Sequence, residues 1–347
     1  MKKYLVFLLS ALMFLISACG VVDNTGGTDT VITDSIGRKA EVNLPLKRVV
    51  VANAYNTELI NAVGAIDTVV GVDYAIYQDS EAYKGRFIKA QVIGQSQREL
   101  NYERIIELAP QALILTGNGT WKEAEEKLAP FGIKVIVLDA YYTDKFFDNC
   151  KLAGKLFGKE ERAEELAEYF GSKLRYIKAQ LKDVPEKTVY FEYRREGNTT
   201  VLGDYFYNMV KFAGGRNIFD DAVNVSVSSE SIVFRNPQYI VKVGENNVSA
   251  HYLPPTEDEF LRRKTEIASR PGWDSIEAVK KDNILLLSHF CHGGASKLVG
   301  TMYIAKFLYP DKLPDLHPEE VFKTWLEKYQ GLDYIAGHTY PQFSLED

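Results

Sequence analysis

Cysteine is scarce in this chain: its 347 residues contain only Cys19, Cys150 and Cys291. Small exported domains often depend on several disulfides, and three cysteines cannot supply such a framework. Basic residues do not predominate either, since 41 Lys and Arg stand against 47 Asp and Glu, for a net charge of -6. A nucleic-acid surface, which needs a concentrated basic stripe, is therefore not expected, and the fold must rest on apolar burial.

Long apolar runs are missing except at the N-terminus. Two lysines precede an uncharged stretch over residues 4–16, which is shorter than the ~20 residues that a membrane-spanning helix needs. Small residues then lead to Cys19, so we predict a signal peptide over residues 1–18. The junction resembles a bacterial lipobox, which implies that Cys19 carries lipid and that residues 19–33 form a lipidated, flexible tether. An ordinary signal peptide ending near a cysteine is the alternative.

Catalytic signatures are also missing. The sequence has no nucleophile elbow, no His-Glu-x-x-His and no glycine loop of the kind that binds phosphates. The enzyme alternative is a secreted metal-dependent hydrolase that uses His289 and His292. A lipid-anchored adhesin or structural protein is a third class, which saturable one-to-one binding of a small complex would exclude.

What the chain does contain is one pattern twice, over residues 103–115 and 230–242. In each copy an acidic residue, Glu103 or Glu230, opens a short helix, a Pro-Gln pair ends the helix seven positions later, and an apolar β-prone run follows. Such units are common in α/β proteins, but two copies with matching flanks indicate an internal duplication. The pattern therefore predicts two similar lobes.

Short apolar strands alternate with helices along most of the chain, which predicts Rossmann-like α/β lobes with mainly parallel sheets. We predict an N-terminal lobe over residues 34–142, a helical linker over 143–184, and a C-terminal lobe over 185–347 that ends in a helical extension. A predicted helix from residue 160 to 181 would span roughly 30 Å at 1.5 Å per residue. Such a long, rigid α-helix would join the lobes and leave a ligand cleft between them.

The order of several motifs resembles one known family. Asp-Ser-Ile-Gly-Arg at residues 34–38 is followed by Arg-Val-Val at 48–50, Asn-Thr-Glu-Leu at 56–59 and Val-Gly-Val-Asp at 70–73. With both Glu-to-Pro units and the linker, this order resembles the substrate-binding proteins of ABC importers for ferric siderophores, haem and vitamin B12. The resemblance covers nearly the whole mature chain. It implies a non-enzymatic protein without an intrinsic cofactor, whose lobes clasp a metal complex as cargo.

The resemblance also implies location and partners. Such a protein would be a monomer, lipid-anchored on the extracytoplasmic face of the cell membrane, and would deliver its cargo to a permease and indirectly to its ATPase. In that family one surface glutamate on each lobe pairs with arginines of the permease, and the matching positions here are Glu103 and Glu230. The alternative is that both are merely favourable first-turn carboxylates of their helices.

Ligands of open parallel sheets bind beyond the carboxyl ends of the strands, so the loops after predicted strands hold the candidate site. Aromatic rings there suit a macrocycle or a catecholate, and arginines suit an anionic chelate unless they belong to a solvated turn. The predicted ligand-binding residues are Tyr55, Asn56, Tyr74, Tyr77, Trp121, Arg194, Arg195, His289, Phe290 and His292. This set favours an iron complex, either a siderophore or haem, and a corrinoid remains the alternative.

His289, Cys291 and His292 are the only clustered candidates for metal ligands. They lie within four residues without a second spaced pair, so a closed zinc site is not expected. Direct coordination of the cargo's metal by His289 or His292 stays open beside hydrogen bonding or packing. The other assignments are a core position for Cys150 and surface or capping positions for His251, His317 and His338.

Overall fold

The protein is described by a computed structural model over residues 27–83, 85–204, 206–244 and 252–344. Two α/β lobes form the fold, each built on a parallel sheet covered by helices. The predicted signal peptide, Cys19, Tyr205 and His251 lie outside the described residues. Of the helices within those ranges, none combines the length and the apolar character that crossing a membrane requires.

The N-terminal lobe is built on short, apolar strands. These are β1 Thr28–Thr33, β2 Lys39–Leu44, β3 Val49–Val51, β4 Val69–Val72, β5 Gly94–Ser96, β6 Glu99–Leu100, β7 Ala112–Leu115 and β8 Lys134–Val137. The helices are α1 Ala54–Ala62, α2 Tyr74–Gln78, α3 Ser80–Tyr83, α4 Tyr102–Glu107 and α5 Trp121–Leu128. The central sheet has the parallel order β4-β3-β7-β8. Every residue of β3 and β7 is buried, as a parallel sheet covered on both faces requires.

One predicted boundary needs correction. Residues 28–33 were predicted as part of the tether, but they form β1, which pairs with β2 in an antiparallel hairpin. The reason is local, because this segment is rich in the β-branched residues that favour strands.

Residues 143–184, predicted as a helical linker with a helix from residue 160 to 181, form two helices, α6 Phe146–Phe157 and α7 Glu160–Gln180. Gly158 separates them with a φ of 61°, a left-handed conformation that ends α6. The 21 residues of α7 span about 30 Å. At its start Arg162 donates to the carbonyl of Ala62 in α1, and just past its end Leu181 lies against Gly214 of the other lobe. Helix α7 is therefore the connection between the lobes.

The C-terminal lobe repeats the sheet order of the first. Its strands are β9 Lys187–Tyr193, β10 Gly215–Asn217, β11 Tyr239–Val243, β12 Ile284–Leu287 and β13 Thr339–Tyr340. Its helices are α8 Tyr207–Phe212, α9 Ser229–Arg235, α10 Glu257–Ala268, α11 Glu277–Lys280, α12 Ser296–Leu308 and α13 Pro318–Thr324, followed by a π-helix Trp325–Gln330. The order is β10-β9-β11-β12-β13, and only β13 runs antiparallel to its neighbour.

The two Glu-to-Pro segments have the same local structure. In each, the residue before the proline has a positive φ, 46° at Ala109 and 43° at Asn236. The glutamine after the proline, Gln111 or Gln238, accepts a hydrogen bond from a backbone N–H at or just before the start of the neighbouring strand, at 2.7 and 3.0 Å. The prediction of two similar α/β lobes is confirmed.

The C-terminal extension connects the lobes a second time. Trp325 is buried with its ring 5.8 Å from that of Phe170 in α7. The Gln330 side chain accepts from the Asn61 side chain at 3.0 Å and donates to the Glu58 carbonyl at 3.1 Å. It therefore binds two residues of the last turns of α1. The extension therefore rests on the connecting helix and on the N-terminal lobe.

Candidate functional site

The lobes touch where the carboxyl ends of their sheets face each other. Tyr55 lies in the first turn of α1, whose N-cap Asn53 accepts from the Tyr55 backbone N–H at 3.0 Å. His292 ends a short 3-10 turn, His289–His292, between β12 and α12. The Tyr55 hydroxyl lies 3.5 Å from Nδ1 of His292, across the boundary between the lobes. The two predicted loops therefore meet.

A glycine pair permits this contact. Gly293 has an extended backbone, and a Cβ placed on it would overlap the Tyr55 ring. Gly294 has a φ of 61°, and a Cβ there would overlap the Glu58 carboxylate. The N-terminal lobe thus rests directly on the backbone of residues 293 and 294.

Aromatic rings line the C-terminal side of the contact. The rings of His289 and His292 stack with centroids 4.6 Å apart, and the Phe206 ring meets His292 edge-on at 5.1 Å. Tyr193, the last residue of β9, lies 4.8 Å from Phe206. We name Tyr55, His289, His292 and Phe206 the cross-lobe cluster. Its flat faces and imidazole nitrogens are the groups that suit a planar or metal-bearing ligand.

An acidic end and a basic end flank this cluster. At the acidic end, Tyr252 of the C-terminal lobe donates to the buried carboxyl group of Glu58. Burial, together with the charge of Asp79, raises the pKa of Glu58 and favours its protonated form. At the basic end, Nζ of Lys297 donates to the backbone carbonyl of Tyr141 in the N-terminal lobe at 2.7 Å.

At this contact the residues that the structure describes enclose a small cavity. A cavity of about 20 Å³ lies beside Tyr55, Glu58, Tyr83, Tyr252 and Gly293. Sites for drug-sized ligands usually enclose ~300–1,000 Å³. A cargo of chelate size therefore requires the lobes to separate at this contact.

Several predicted ligand residues lie within the N-terminal lobe's own structure. Asn56 is buried and accepts from the Ala140 backbone N–H at 3.2 Å, which ties α1 to the loop after β8. Tyr74 and Tyr77 pack on each other in α2 with centroids 6.0 Å apart. Trp121 lies under the Arg38 guanidinium, 4.3 Å from its ring centroid. These contacts do not bring the four residues to the cross-lobe cluster.

The remaining predictions divide between core and surface. Phe290 is 2% exposed and stacks on Phe322 at 4.3 Å, so its ring is a core element rather than a ligand-facing one. Arg194 and Arg195 are exposed in the turn after β9, where the Arg194 carbonyl accepts from Nζ of Lys242 at 3.0 Å. Both arginines therefore lie just beyond the carboxyl end of β9.

Two of the cysteines and one histidine are also core residues. Cys150 and Cys291 are buried, and burial raises the pKa of both thiols. The prediction that His338 is a surface or capping residue is wrong: it is buried, and its Nδ1 lies 2.8 Å from the Ser288 hydroxyl. Burial lowers the pKa of His338 to about 4, so it is neutral near pH 7. His317, by contrast, takes the N-cap position of α13.

No metal centre is formed by this chain's own side chains in the ranges that the structure describes, where no group of three or more His, Cys, Asp or Glu converges. The imidazoles of His289 and His292 stack face to face instead of converging on one point. Coordination of the cargo's metal by either histidine stays a prediction.

Glu103 and Glu230 occupy equivalent surface positions. Both are exposed in the first turn of a helix, α4 or α9, behind an N-cap of Asn101 or Ser228. Hydrogen bonding to its own backbone N–H lowers the pKa of Glu230, so it is ionised at neutral pH. Since α4 and α9 lead into β7 and β11, their N-termini lie at the sheet edge that carries the cross-lobe cluster.

Sequence reasoning missed Glu58, Tyr141, Phe206, Tyr252 and Lys297. Glu58 lies inside the Asn-Thr-Glu-Leu motif quoted above. The Gly293-Gly294 pair could have indicated a place where another group packs closely on the backbone. Nothing in the local pattern marks Lys297, which lies in the first turn of an apolar helix.

Comparison with known proteins agrees with this architecture. A family model described as periplasmic binding protein matches residues 49–289. The uncharacterised ABC transporter substrate-binding lipoprotein YvrC of Bacillus subtilis is 25% identical over 291 residues, covering 81% of this chain and 85% of the relative. A vitamin B12-binding protein of Yersinia pestis is 27% identical over 216 residues, covering 60% and 75%.

Among solved structures, the TroA-like periplasmic binding protein FepB of Veillonella parvula has a TM-score of 0.74 at 21% identity, over 90% of this chain and 99% of that one. This likeness concerns the fold. The family model spans well over half of the chain, and its family consists of binding proteins, which rules out the hydrolase alternative. This chain belongs to the periplasmic binding protein family.

Proposed function

We propose that this chain is the extracytoplasmic substrate-binding protein of an ABC importer and that it captures an iron complex, a siderophore chelate or haem, between its lobes. The observation that carries this proposal is the meeting of Tyr55 and His292 across the lobe boundary. A ligand held there contacts both lobes, so its affinity depends on how far apart the lobes are. The substrate-binding lipoprotein from Bacillus subtilis supports the importer assignment.

A corrinoid is the second candidate cargo. It is favoured by the Yersinia pestis relative, which is a vitamin B12-binding protein. The aromatic faces of the cross-lobe cluster suit a corrin ring as well as a porphyrin or a catecholate.

The test is a titration of the purified protein with haemin, a ferric tricatecholate, a ferric trihydroxamate and cobinamide. Tryptophan fluorescence and calorimetry report affinity and stoichiometry. We expect saturable one-to-one binding of at least one iron complex in the micromolar range or tighter. Binding of cobinamide alone would transfer the proposal to the corrinoid, and no binding of any probe would overturn it.

Delivery is proposed to occur by docking on a permease through Glu103 and Glu230, while lipid on Cys19 holds the protein at the membrane. The equivalent, exposed positions of the two carboxylates support this, because paired charges orient a partner and speed its encounter. Replacing both with Arg should abolish uptake and leave ligand affinity unchanged. Glu160→Arg with Glu257→Arg, which reverses first-turn acids of other helices, is the matched control. Normal uptake in the first double variant would exclude this docking surface.

A further inference from the structure

Phe234 in α9 is an aromatic side chain that faces solvent, with an exposed fraction of 90%. Among the large apolar side chains of the described ranges, Val223 and Leu202 have the next-largest exposed fractions, 89% and 71%. Single exposed apolar residues are ordinary on a protein surface, whereas a group of them marks a contact surface. The three side chains therefore point to a role if they lie in one region.

Hydrogen bonds bring the segments that carry these side chains together. The Arg235 guanidinium pairs with the Asp221 carboxylate at 2.7 Å. This pair joins the end of α9, where Phe234 lies, to the segment that carries Val223. That segment in turn pairs with the loop of Leu202 through an antiparallel bridge between residues 198 and 226. We name Phe234, Val223 and Leu202 the apolar patch.

The internal duplication gives Phe234 a counterpart in the other lobe. Ile105 and Ile232 fall at the same position of the two repeats and are both buried, which fixes the register. In this register Phe234 corresponds to Glu107, an exposed acid that pairs with Arg104 at 2.6 Å. The two lobes thus differ at one equivalent surface position.

Phe234 also lies beside Glu230, since residues four positions apart are neighbours on the surface of a helix. Glu103 and Glu107 have the same spacing in α4. The N-terminal lobe therefore presents two carboxylates on this face of its helix, and the C-terminal lobe presents one carboxylate and one aromatic ring.

Resting on the permease docking proposed above, we infer that the apolar patch anchors the C-terminal lobe on the permease, in an apolar recess beside the group that pairs with Glu230. Aromatic residues are enriched in protein interfaces, where they bury a large apolar area. The N-terminal lobe has Glu107 at the equivalent position and docks through charge. The two lobes thus make chemically different contacts with one partner.

A permease fits this surface better than a lipid bilayer or a second copy of the chain. The lowered pKa of Glu230 keeps its carboxylate ionised at neutral pH, one turn from Phe234. Anionic headgroups would repel that charge, and the net charge of -6 disfavours self-association. A permease can place a cation opposite Glu230 and an apolar recess next to it.

Binding to the cognate permease–ATPase complex in lipid nanodiscs tests the inference. The chain and all of its variants carry Cys19→Ser, so that lipid on the protein does not contribute. Phe234→Ala should weaken binding by about tenfold or more. Phe131→Ala, which truncates an exposed phenylalanine of the N-terminal lobe, is the matched control and should change binding by less than about threefold. Affinity for cargo should be unchanged in both variants.

Salt separates the two contacts of α9. Raising the salt concentration from about 0.1 M to about 0.5 M shortens the Debye length from its value of ~10 Å. The loss of affinity in Glu230→Ala should therefore shrink at the higher concentration. The loss in Phe234→Ala should persist, because burial of apolar surface does not depend on charge.

The outcomes separate this inference from the function proposed above. Wild-type affinity in Phe234→Ala, with binding lost in Glu103→Arg with Glu230→Arg, would overturn the apolar anchor and leave the docking through glutamates standing. Binding of the patch to empty nanodiscs, or self-association in sedimentation that Phe234→Ala abolishes, would overturn the permease as its partner. Failure of wild-type protein to bind the complex would overturn both docking proposals. Thermal unfolding verifies that each variant is folded.

Discussion

Two ionisable side chains cross between the lobes in opposite directions. Glu58 of the N-terminal lobe meets Tyr252, and Lys297 of the C-terminal lobe meets the carbonyl of Tyr141. Burial favours the neutral form of both groups. Their surroundings differ, because Glu58 has another acid, Asp79, beside it, whereas the charges near Lys297 are of opposite sign.

This difference in neighbouring charges determines which sign of charge the contact presents to a ligand. A like charge adds to burial at Glu58, and both raise the pKa of its carboxyl group and favour the protonated form. Opposite charges work against burial at Lys297, so its ammonium form is accessible near pH 7. The contact therefore has an accessible ammonium group at one end and, at the other, a carboxyl group whose raised pKa favours its neutral form.

The largest expected effect of the difference between Glu58 and Lys297 is on the pH dependence of binding. The pKa of Lys297 is about 7 in the cargo-free protein, so above pH 7 the binding of an anionic complex beside its ammonium form should take up as much as about one proton, and affinity should fall by up to about tenfold per pH unit. Calorimetry with a ferric tricatecholate, in buffers of different ionisation enthalpy between pH 6 and 9, measures both quantities. Lys297→Met and Lys297→Arg should show neither effect, and a wild-type affinity that is constant with pH would contradict the account.

A smaller effect is expected at the glycine between the two ends. Gly293 has an extended backbone that alanine adopts freely, so Gly293→Ala acts only through overlap with Tyr55. The variant should separate the lobes of the cargo-free protein, and since closure competes with binding, affinity should rise about threefold to tenfold. Small-angle scattering measures the separation. The double variant with Tyr55→Ala should return to a closed form. A scattering profile of Gly293→Ala that equals the wild-type profile would contradict the close contact between Gly293 and Tyr55.

The smallest effect is expected at Glu58. Glu58→Gln keeps a hydrogen-bonding group beside Tyr252 and imitates the protonated form that the raised pKa of Glu58 favours. Affinity for anionic and neutral iron complexes should change by less than about threefold, or ~0.6 kcal/mol. Titration calorimetry at neutral pH checks this. A rise of tenfold for the anionic complex alone would mean that Glu58 is ionised.

Much of the fold could be predicted from the sequence because the patterns that specify its strands and turns are local. The buried strands β3, β7, β11 and β12 are short apolar runs, and the repeated Pro-Gln pair marks the same turn in both lobes. Strand β1 was missed since polar and glycine residues precede it.

The site was only partly readable because its contacts are not local. Tyr55 and His292 were both predicted, yet they are 237 residues apart and nothing in either loop predicts that they touch. A position after a strand does not fix the direction of a side chain: the Trp121 ring meets Arg38, and the Phe290 ring packs in the core. Lys297 reads as a surface residue until the packing of α12 is known.

The central claim is that cargo is held by both lobes at once. The most direct test measures the affinity of Tyr55→Ala and His292→Ala for the iron complex that wild-type protein binds best, with Tyr74→Ala as the control from a neighbouring loop. The account predicts a loss of about tenfold or more in each of the first two variants and less than about threefold in the control. Wild-type affinity in both Tyr55→Ala and His292→Ala would contradict it.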